Sequence, residues 1–243
     1  MSDKNPKRGI YLLPNLLTTA ALFSGFFAIL AAIDGHYDKA ALAIFLAMLL
    51  DALDGRVARM THTQTAFGAE YDSLSDMVAF GLAPGLVMYL WTLNGLGRLG
   101  WLVAFVYVAG AALRLARFNT KVETADKSYF EGLPSPAAAG VIVGCLWVAI
   151  DYDLTPDRLR IPVAILTAFA GLAMVSNLRY YSFKEVDFHG KVPYMLVVGI
   201  TLAVAVVITE PPLVLFTLFF LYTFSGLITT LRSRKKSEPP ENS

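Results

Sequence analysis

The stretch that decides the fold is Asp51-Ala52-Leu53-Asp54-Gly55-Arg56-Val57-Ala58-Arg59, followed after eight residues by Gly68-Ala69-Glu70-Tyr71-Asp72-Ser73-Leu74-Ser75-Asp76. Its four aspartates sit in or beside apolar runs of bilayer-spanning length. An ionised group in the hydrocarbon costs roughly 2.5–3.5 kcal/mol on insertion scales, so four together demand compensation and a function. Asp51 and Asp54 stand three residues apart, and Asp72 and Asp76 four apart, so each pair lies on one face of its helix. The connection between the pairs, about Met60 to Ala69, is short enough to fold the two helices into a hairpin. Two carboxylate pairs facing each other at similar depth form a cage of hard oxygen ligands for divalent cations.

Outward from that motif, the 243 residues are 56% hydrophobic with a mean hydropathy of +0.57, which describes an all-α, polytopic integral membrane protein. About eight apolar segments are long enough to span: 12–33, 39–60, 70–93, 97–118, 133–150, 160–176, 192–209 and 211–231. The connections are too short for a separate soluble domain, so residues 1–232 read as one transmembrane domain and 233–243 as a basic, disordered tail. Met1 to Gly9 is polar and basic and does not read as a secretory signal. Cys145 is the single cysteine, so neither an intramolecular disulfide nor a structural zinc site is expected.

Basic residues set the orientation. Lys4, Lys7, Arg8, Arg56, Arg59, Arg114, Arg117, Lys121, Lys127, Arg179, Lys184, Lys191, Arg232, Arg234, Lys235 and Lys236 fall on one side of the membrane. Lys39, Arg98, Arg158 and Arg160 fall on the other. The positive-inside bias puts both termini and the aspartate motif at the cytoplasmic face. The basic clusters at the two chain ends read as topology signals and as attraction to anionic membrane lipids, not as a nucleic-acid surface.

Charge accounting points to two metals and a phosphorylated ligand. Four ionised aspartates match two divalent cations, and Arg59, with Arg56 or Arg117, offsets a bound pyrophosphate. Gly55 and Ala58 on the second span, and Gly68 on the third, leave room for a ligand against the helix backbones.

The pattern D-x-x-D-G-x-x-A-R, eight residues, G-x-x-x-D-x-x-x-D resembles the signature of the CDP-alcohol phosphatidyltransferases. Asp51, Asp54, Gly55, Ala58, Arg59, Gly68, Asp72 and Asp76 occupy its fixed positions. The resemblance implies a six-helix core within the eight spans and two bound Mg²⁺ or Mn²⁺ ions. One ion would be held by Asp51, Asp54 and Asp72, the other by Asp51, Asp72 and Asp76, with Asp76 also the catalytic base. It further implies a CDP-lipid site at Asn15, Gly55, Ala58, Arg59 and Gly68, a homodimer, and a bacterial cytoplasmic membrane as the setting.

Three further segments resemble the serine-using branch of that family: Arg114-Leu-Ala-Arg117-Phe118-Asn119, Phe130-Glu-Gly132-Leu-Pro134-Ser135-Pro136, and Ser176-Asn177-Leu-Arg179-Tyr-Tyr-Ser-Phe-Lys184. They imply CDP-diacylglycerol and L-serine as substrates, with Arg114, Arg117, Asn119 and Ser135 receiving the acceptor. Glycerol 3-phosphate, inositol or inositol phosphate stay open as acceptors, since the same arginines suit a phosphate. A cation transporter is the reading from another class, because intramembrane carboxylates mark ion paths. Against it, the acidic residues gather at one face, and transport leaves Gly55, Ala58, Arg59 and Gly68 unexplained.

The remaining polar features have plainer readings. Arg114 and Arg117 also suit interfacial anchoring, Asn15 a helix cap, Glu70 a cap or an interfacial pair, and Pro134–Pro136 a helix start. His36, His62 and His189 fall in loops and read as solvated. Gly81-x-x-x-Gly85 and Gly140-x-x-x-Gly144 permit close helix approach.

Overall fold

The computed structural model describes residues 12–61, 63–120, 129–181 and 194–237. The first two helices, α1 (Leu12–Ile33) and α2 (Tyr37–Met60), form an antiparallel pair turned by Gly35 at φ +77°. Alanines line the seam: Ala28, Ala31 and Ala32 of α1 and Ala40, Ala41 and Ala47 of α2 are all buried. Small side chains bring the two backbones close, which is how helices associate where lipid supplies no hydrophobic drive. Past α2, Thr65 caps the next helix, its Oγ1 accepting from the Gly68 N–H at 2.9 Å.

That next span is not one regular helix. It runs as α3 (Ala66–Asp76), a π-helical turn over Met77–Leu82, then α4 (Ala83–Trp91). Pro84 accounts for the break. It has no N–H to offer the carbonyl of Phe80 four residues back, and its ring crowds that carbonyl. The fully buried Tyr107 of α5 (Arg98–Thr120) supplies the missing donor, its hydroxyl bonding Phe80 O at 2.8 Å. On the other side Gly25 of α1 lies against the turn, where an added Cβ would stand 2.6 Å from Ala79 Cα. A widened turn directly after Asp76 is thus held from two helices.

Helices α6 (Ser135–Asp151), α7 (Pro156–Val175), α8 (Tyr194–Thr209) and α9 (Pro211–Ser237) complete the bundle. Both small-residue motifs work inside the chain: Gly81 and Gly85 face Ala111 and Val108 of α5, and Gly140 and Gly144 face Phe219 and Phe216 of α9. Among the described residues, five helical segments are long and apolar enough to cross a membrane: Leu12–Ile33, Ala66–Trp91, Arg98–Thr120, Pro156–Val175 and Pro211–Thr230. Ser135–Asp151 is shorter but apolar, and α2 owes its lower hydropathy to the charged residues of its last turns.

The expected all-α membrane fold is therefore what forms, with eight span-scale helical segments among the described residues. One addition breaks the helical pattern. Strands β1 (Tyr129–Glu131) and β2 (Arg179–Tyr181) pair antiparallel, with Phe130 opposite Tyr180 and Glu131 opposite Arg179. Gly132, at φ +83°, turns the chain from this ribbon into α6 beneath the Met174 carbonyl, which a side chain would strike. Pro134 then stands at the N-cap of α6 and Pro136 in its first turn, as the sequence predicts. Helix α9 continues to Ser237, into the stretch expected to be a disordered tail, and 238–243 lie outside the described residues.

Candidate active site

The hairpin of α2 and α3 brings together three of its four carboxylates, where the spacing predicts all four. Asp51, Asp72 and Asp76 each offer a carboxylate oxygen, and these oxygens lie within 4.8 Å of one another. Asp54 is turned elsewhere. Residues three apart on a helix differ by about 60° in direction, so Asp51 looks to α3 while Asp54 looks to α1. There Asp54 is 5% exposed, and its Oδ2 accepts from Thr18 Oγ1 at 2.7 Å. Thr18 is also buried and shares its hydroxyl with Pro14 O at 3.1 Å.

A second tie fixes α3 at the same level, where Ser75 Oγ donates to Thr18 O at 3.1 Å. Thr19 Oγ1 and Tyr71 OH form a third at 2.9 Å. The helix carrying the second carboxylate pair is thus fastened to α1 through hydroxyls, and sequence reasoning passed over all of them. Their signal was present in outline: Thr18 and Thr19 are polar groups in an otherwise apolar helix, one turn from Asn15, and Ser75 adjoins Asp76.

The carboxylate cluster fits a divalent cation. Asp72 Oδ1 is buried without a hydrogen-bond partner, which is costly unless the atom is a ligand. Three convergent, all-oxygen donors suit Mg²⁺ or Mn²⁺. These three are the set the family resemblance assigns to the second of two ions.

The small residues of the motif lie on the same two helices as this cluster. Arg59 is exposed and folds back along α2, its Nη1 standing 3.5 Å from where a Gly55 Cβ would be. Ala58 is half-buried on the adjoining turn. Gly68 faces Asn15, whose Oδ1 would be 3.7 Å from an added Cβ. Asn15 lies within α1, one turn before Thr19, and sits at the edge of the α2–α3 hairpin, not at a helix N-cap.

Of the four residues expected to meet an acceptor, two come together. Arg114 Nη1 donates to Ser135 Oγ at 2.7 Å, and Ser135 is fully buried at the start of α6. Arg114 also lies within electrostatic reach of Asp76 and Asp51. Arg117, one turn on, is engaged by the protein itself. It donates to Val175 O at 3.1 Å, Ser176 O at 3.4 Å and Asn177 Oδ1 at 3.2 Å, and pairs with Glu131 at 3.4 Å. It thereby fastens the end of α7 to β1.

Asn119 points to a different surface. It accepts from Ser73 Oγ at 3.1 Å and donates to Glu70 Oε2 at 3.3 Å. On a helix Glu70 lies about 160° round from Asp72 and Ser73 about 100°, so this network draws Asn119 to the flank of α3 and not into the carboxylate cluster. Glu70 has the interfacial pairing role expected of it. His36 is exposed, while His62 and His189 lie outside the described residues.

Comparison with known proteins gives a consistent result. The family model for CDP-alcohol phosphatidyltransferase matches residues 11–176. A Helicobacter pylori protein called CDP-diacylglycerol–serine O-phosphatidyltransferase is 36% identical over 226 residues, 93% of this chain and 94% of that protein. One of the same name from Methanocaldococcus jannaschii is 33% identical over 78% of this chain and 83% of its own. An archaetidylserine synthase from Methanothermobacter thermautotrophicus is 36% identical over 74% of this chain and 73% of its own. With the aspartate signature, the hairpin that carries it and a match across most of the sequence, the chain belongs to the CDP-alcohol phosphatidyltransferase family.

Proposed function

We propose that this enzyme transfers the phosphatidyl group of CDP-diacylglycerol to the hydroxyl of L-serine, giving phosphatidylserine and CMP. The observation that carries the reading is the convergence of Asp51, Asp72 and Asp76, with Arg114 and Ser135 facing the same region from α5 and α6. The names of the relatives support serine as the acceptor.

Two divalent cations, Mg²⁺ or Mn²⁺, would be held by Asp51, Asp54, Asp72 and Asp76, and when bound they neutralise the pyrophosphate and the charge growing on departing CMP. Asp54 is kept at the edge of that set by Thr18. Arg59 pairs with a phosphate of the CDP-lipid, while Gly55, Ala58, Gly68 and Asn15 form the wall against which the nucleotide lies. Arg114, held on Ser135, receives the serine carboxylate. Asp76 takes the proton from the serine hydroxyl as its oxygen forms the new bond to the lipid phosphorus and the bond from that phosphorus to CMP breaks. Arg117 and Asn119 act on the acceptor indirectly, through the α7–β2 junction and the α3–α5 contact.

Residues 1–232 act as one membrane domain, in a homodimer whose active sites and termini face the cytoplasm of a bacterial cell. The distribution of Lys and Arg supports that orientation. The test is CMP release from CDP-diacylglycerol by the purified protein, with L-serine, inositol, inositol phosphate or glycerol 3-phosphate as acceptor. Serine-dependent release that a chelator abolishes and Mg²⁺ or Mn²⁺ restores is the expected result. Release with another alcohol alone overturns serine, and no release with any of them overturns the transferase reading of the site.

A further inference from the structure

Asp76 converges with Asp51 of α2, while Gly85, further along the same span, lies against Tyr107 and Val108 of α5. At about 100° per residue, an unbroken α-helix would point Asp76 and Gly85 about 180° apart. A π turn takes in one more residue than an α turn, so the segment Met77–Leu82 sets everything after it back by about 100°. Asp76 and Gly85 thereby come to within about 80° of each other, and one span can serve both neighbours. Were the turn to straighten while α4 kept its seat on α5, Asp72 and Asp76 would swing together away from Asp51.

Consecutive residues of the turn are gripped from different helices. Ala79 rests on Gly25 of α1, where an added Cβ would stand 2.6 Å from Ala79 Cα. Gly81 rests on α5, where its Cβ would stand 3.1 Å from Ala111 Cβ. These are contacts between small apolar groups and tolerate some rotation. Between them, Phe80 O accepts the Tyr107 hydroxyl at 2.8 Å, and that bond is directional. Pro84 removes the α-helical donor to Phe80 O, and hydrocarbon supplies none in its place. The tyrosine is itself fixed. Its backbone lies against Gly171 of α7, where a Cβ would stand 2.8 Å from Tyr107 Cα, and its ring lies against Gly85. A fully buried donor on a fixed helix meets Phe80 O only in the register that the wide turn creates.

We propose that Tyr107 is a positioning residue for the metal site: its hydroxyl holds the register that turns Asp72 and Asp76 toward Asp51, and so sets the affinity for a divalent cation. The inference rests on the cation reading of the carboxylates above. It extends that site to a side chain on α5 whose hydroxyl is spent on a backbone carbonyl.

The test is Mn²⁺ binding to the purified, chelator-stripped protein, followed by electron paramagnetic resonance with no substrate present. Tyr107→Phe keeps the ring against Gly85 and removes only the hydroxyl. Its Kd for Mn²⁺ is expected to rise about tenfold, the lower end of the range for groups that orient metal ligands. Tyr37→Phe is the matched control, because Tyr37 OH bonds Leu90 O at 3.1 Å, on the same span but beyond the turn. It leaves the Kd within about twofold of the parent's, even where both variants lower the unfolding temperature alike. A Kd for Tyr107→Phe equal to the parent's, or an equal rise in Tyr37→Phe, overturns the proposal. Should Tyr107→Phe be recovered unfolded, Tyr107→Met, which also lacks the donor but fills space flexibly, is read by the same criteria. If the parent protein binds no Mn²⁺, the cation reading itself fails and takes this inference with it, an outcome distinct from a silent Tyr107→Phe.

Discussion

Thr18 of α1 and Asp54 of α2 are joined by a buried hydrogen bond of 2.7 Å, so one carboxylate of the signature is oriented by a helix that precedes the signature. Partners that orient a ligating carboxylate typically carry 10- to 100-fold in metal affinity. Thr18→Val, close in shape but without the hydroxyl, is expected to raise the Mg²⁺ concentration for half-maximal CMP release by about 10-fold or more. Thr18→Ser restores most of it. A metal dependence identical to the parent's would show that Asp54 needs no such partner.

Asp76→Asn removes a proton acceptor while keeping size and an oxygen. Turnover should fall by about 10²- to 10⁴-fold, the range for loss of a general base, while CDP-diacylglycerol still binds. Equilibrium binding of the CDP-lipid, measured beside single-turnover CMP release, separates the two effects. Near-normal turnover would remove Asp76 from the base role.

Arg59 reaches back over Gly55 from the last turn of α2. Arg59→Ala should raise the apparent KM for CDP-diacylglycerol by about tenfold, as expected for losing a charge-assisted phosphate contact, and leave the KM for serine nearly unchanged. A change confined to the serine KM would place Arg59 at the acceptor instead.

Gly132→Ala places a Cβ at φ +83° against the Met174 carbonyl, at the hinge between β1 and α6. A loss of about 1–3 kcal/mol is expected, read as a lowered unfolding temperature in detergent. Gly199→Ala, where nothing lies within 4 Å, is the matched control and should be neutral or stabilising. Equal shifts for the two variants would refute the hinge argument.

The hairpin, the carboxylate cluster and the helical architecture were legible because each depends on local periodicity. Helix geometry puts Asp72 and Asp76 on one face of α3, and the short connection to α2 brings Asp51 to them. The divergence of Asp54 was half-legible: three residues give about 60° of rotation, but which neighbour receives the side chain depends on how α1 packs. Arg117 and Asn119 show the limit more sharply. Both sit at the end of α5 beside Arg114, yet one is consumed by the α7 terminus and the other by Ser73 and Glu70 on the flank of α3. Partner choice across helices comes from tertiary packing, which spacing within one helix does not encode. The π turn had a readable cause in Pro84, but not a readable remedy, since Tyr107 lies on the following helix.

The order in which the chain leaves the ribosome now divides the site in time. Its carboxylate half closes among α1, α2 and α3, neighbours in sequence, whose mutual contacts need only short loops to form. Its acceptor half joins Arg114 to Ser135 and, through Tyr180 and Thr223, to the last helix of the bundle. During synthesis the hairpin proposed to receive the lipid nucleotide is thus in the membrane before the wall proposed to receive the alcohol exists.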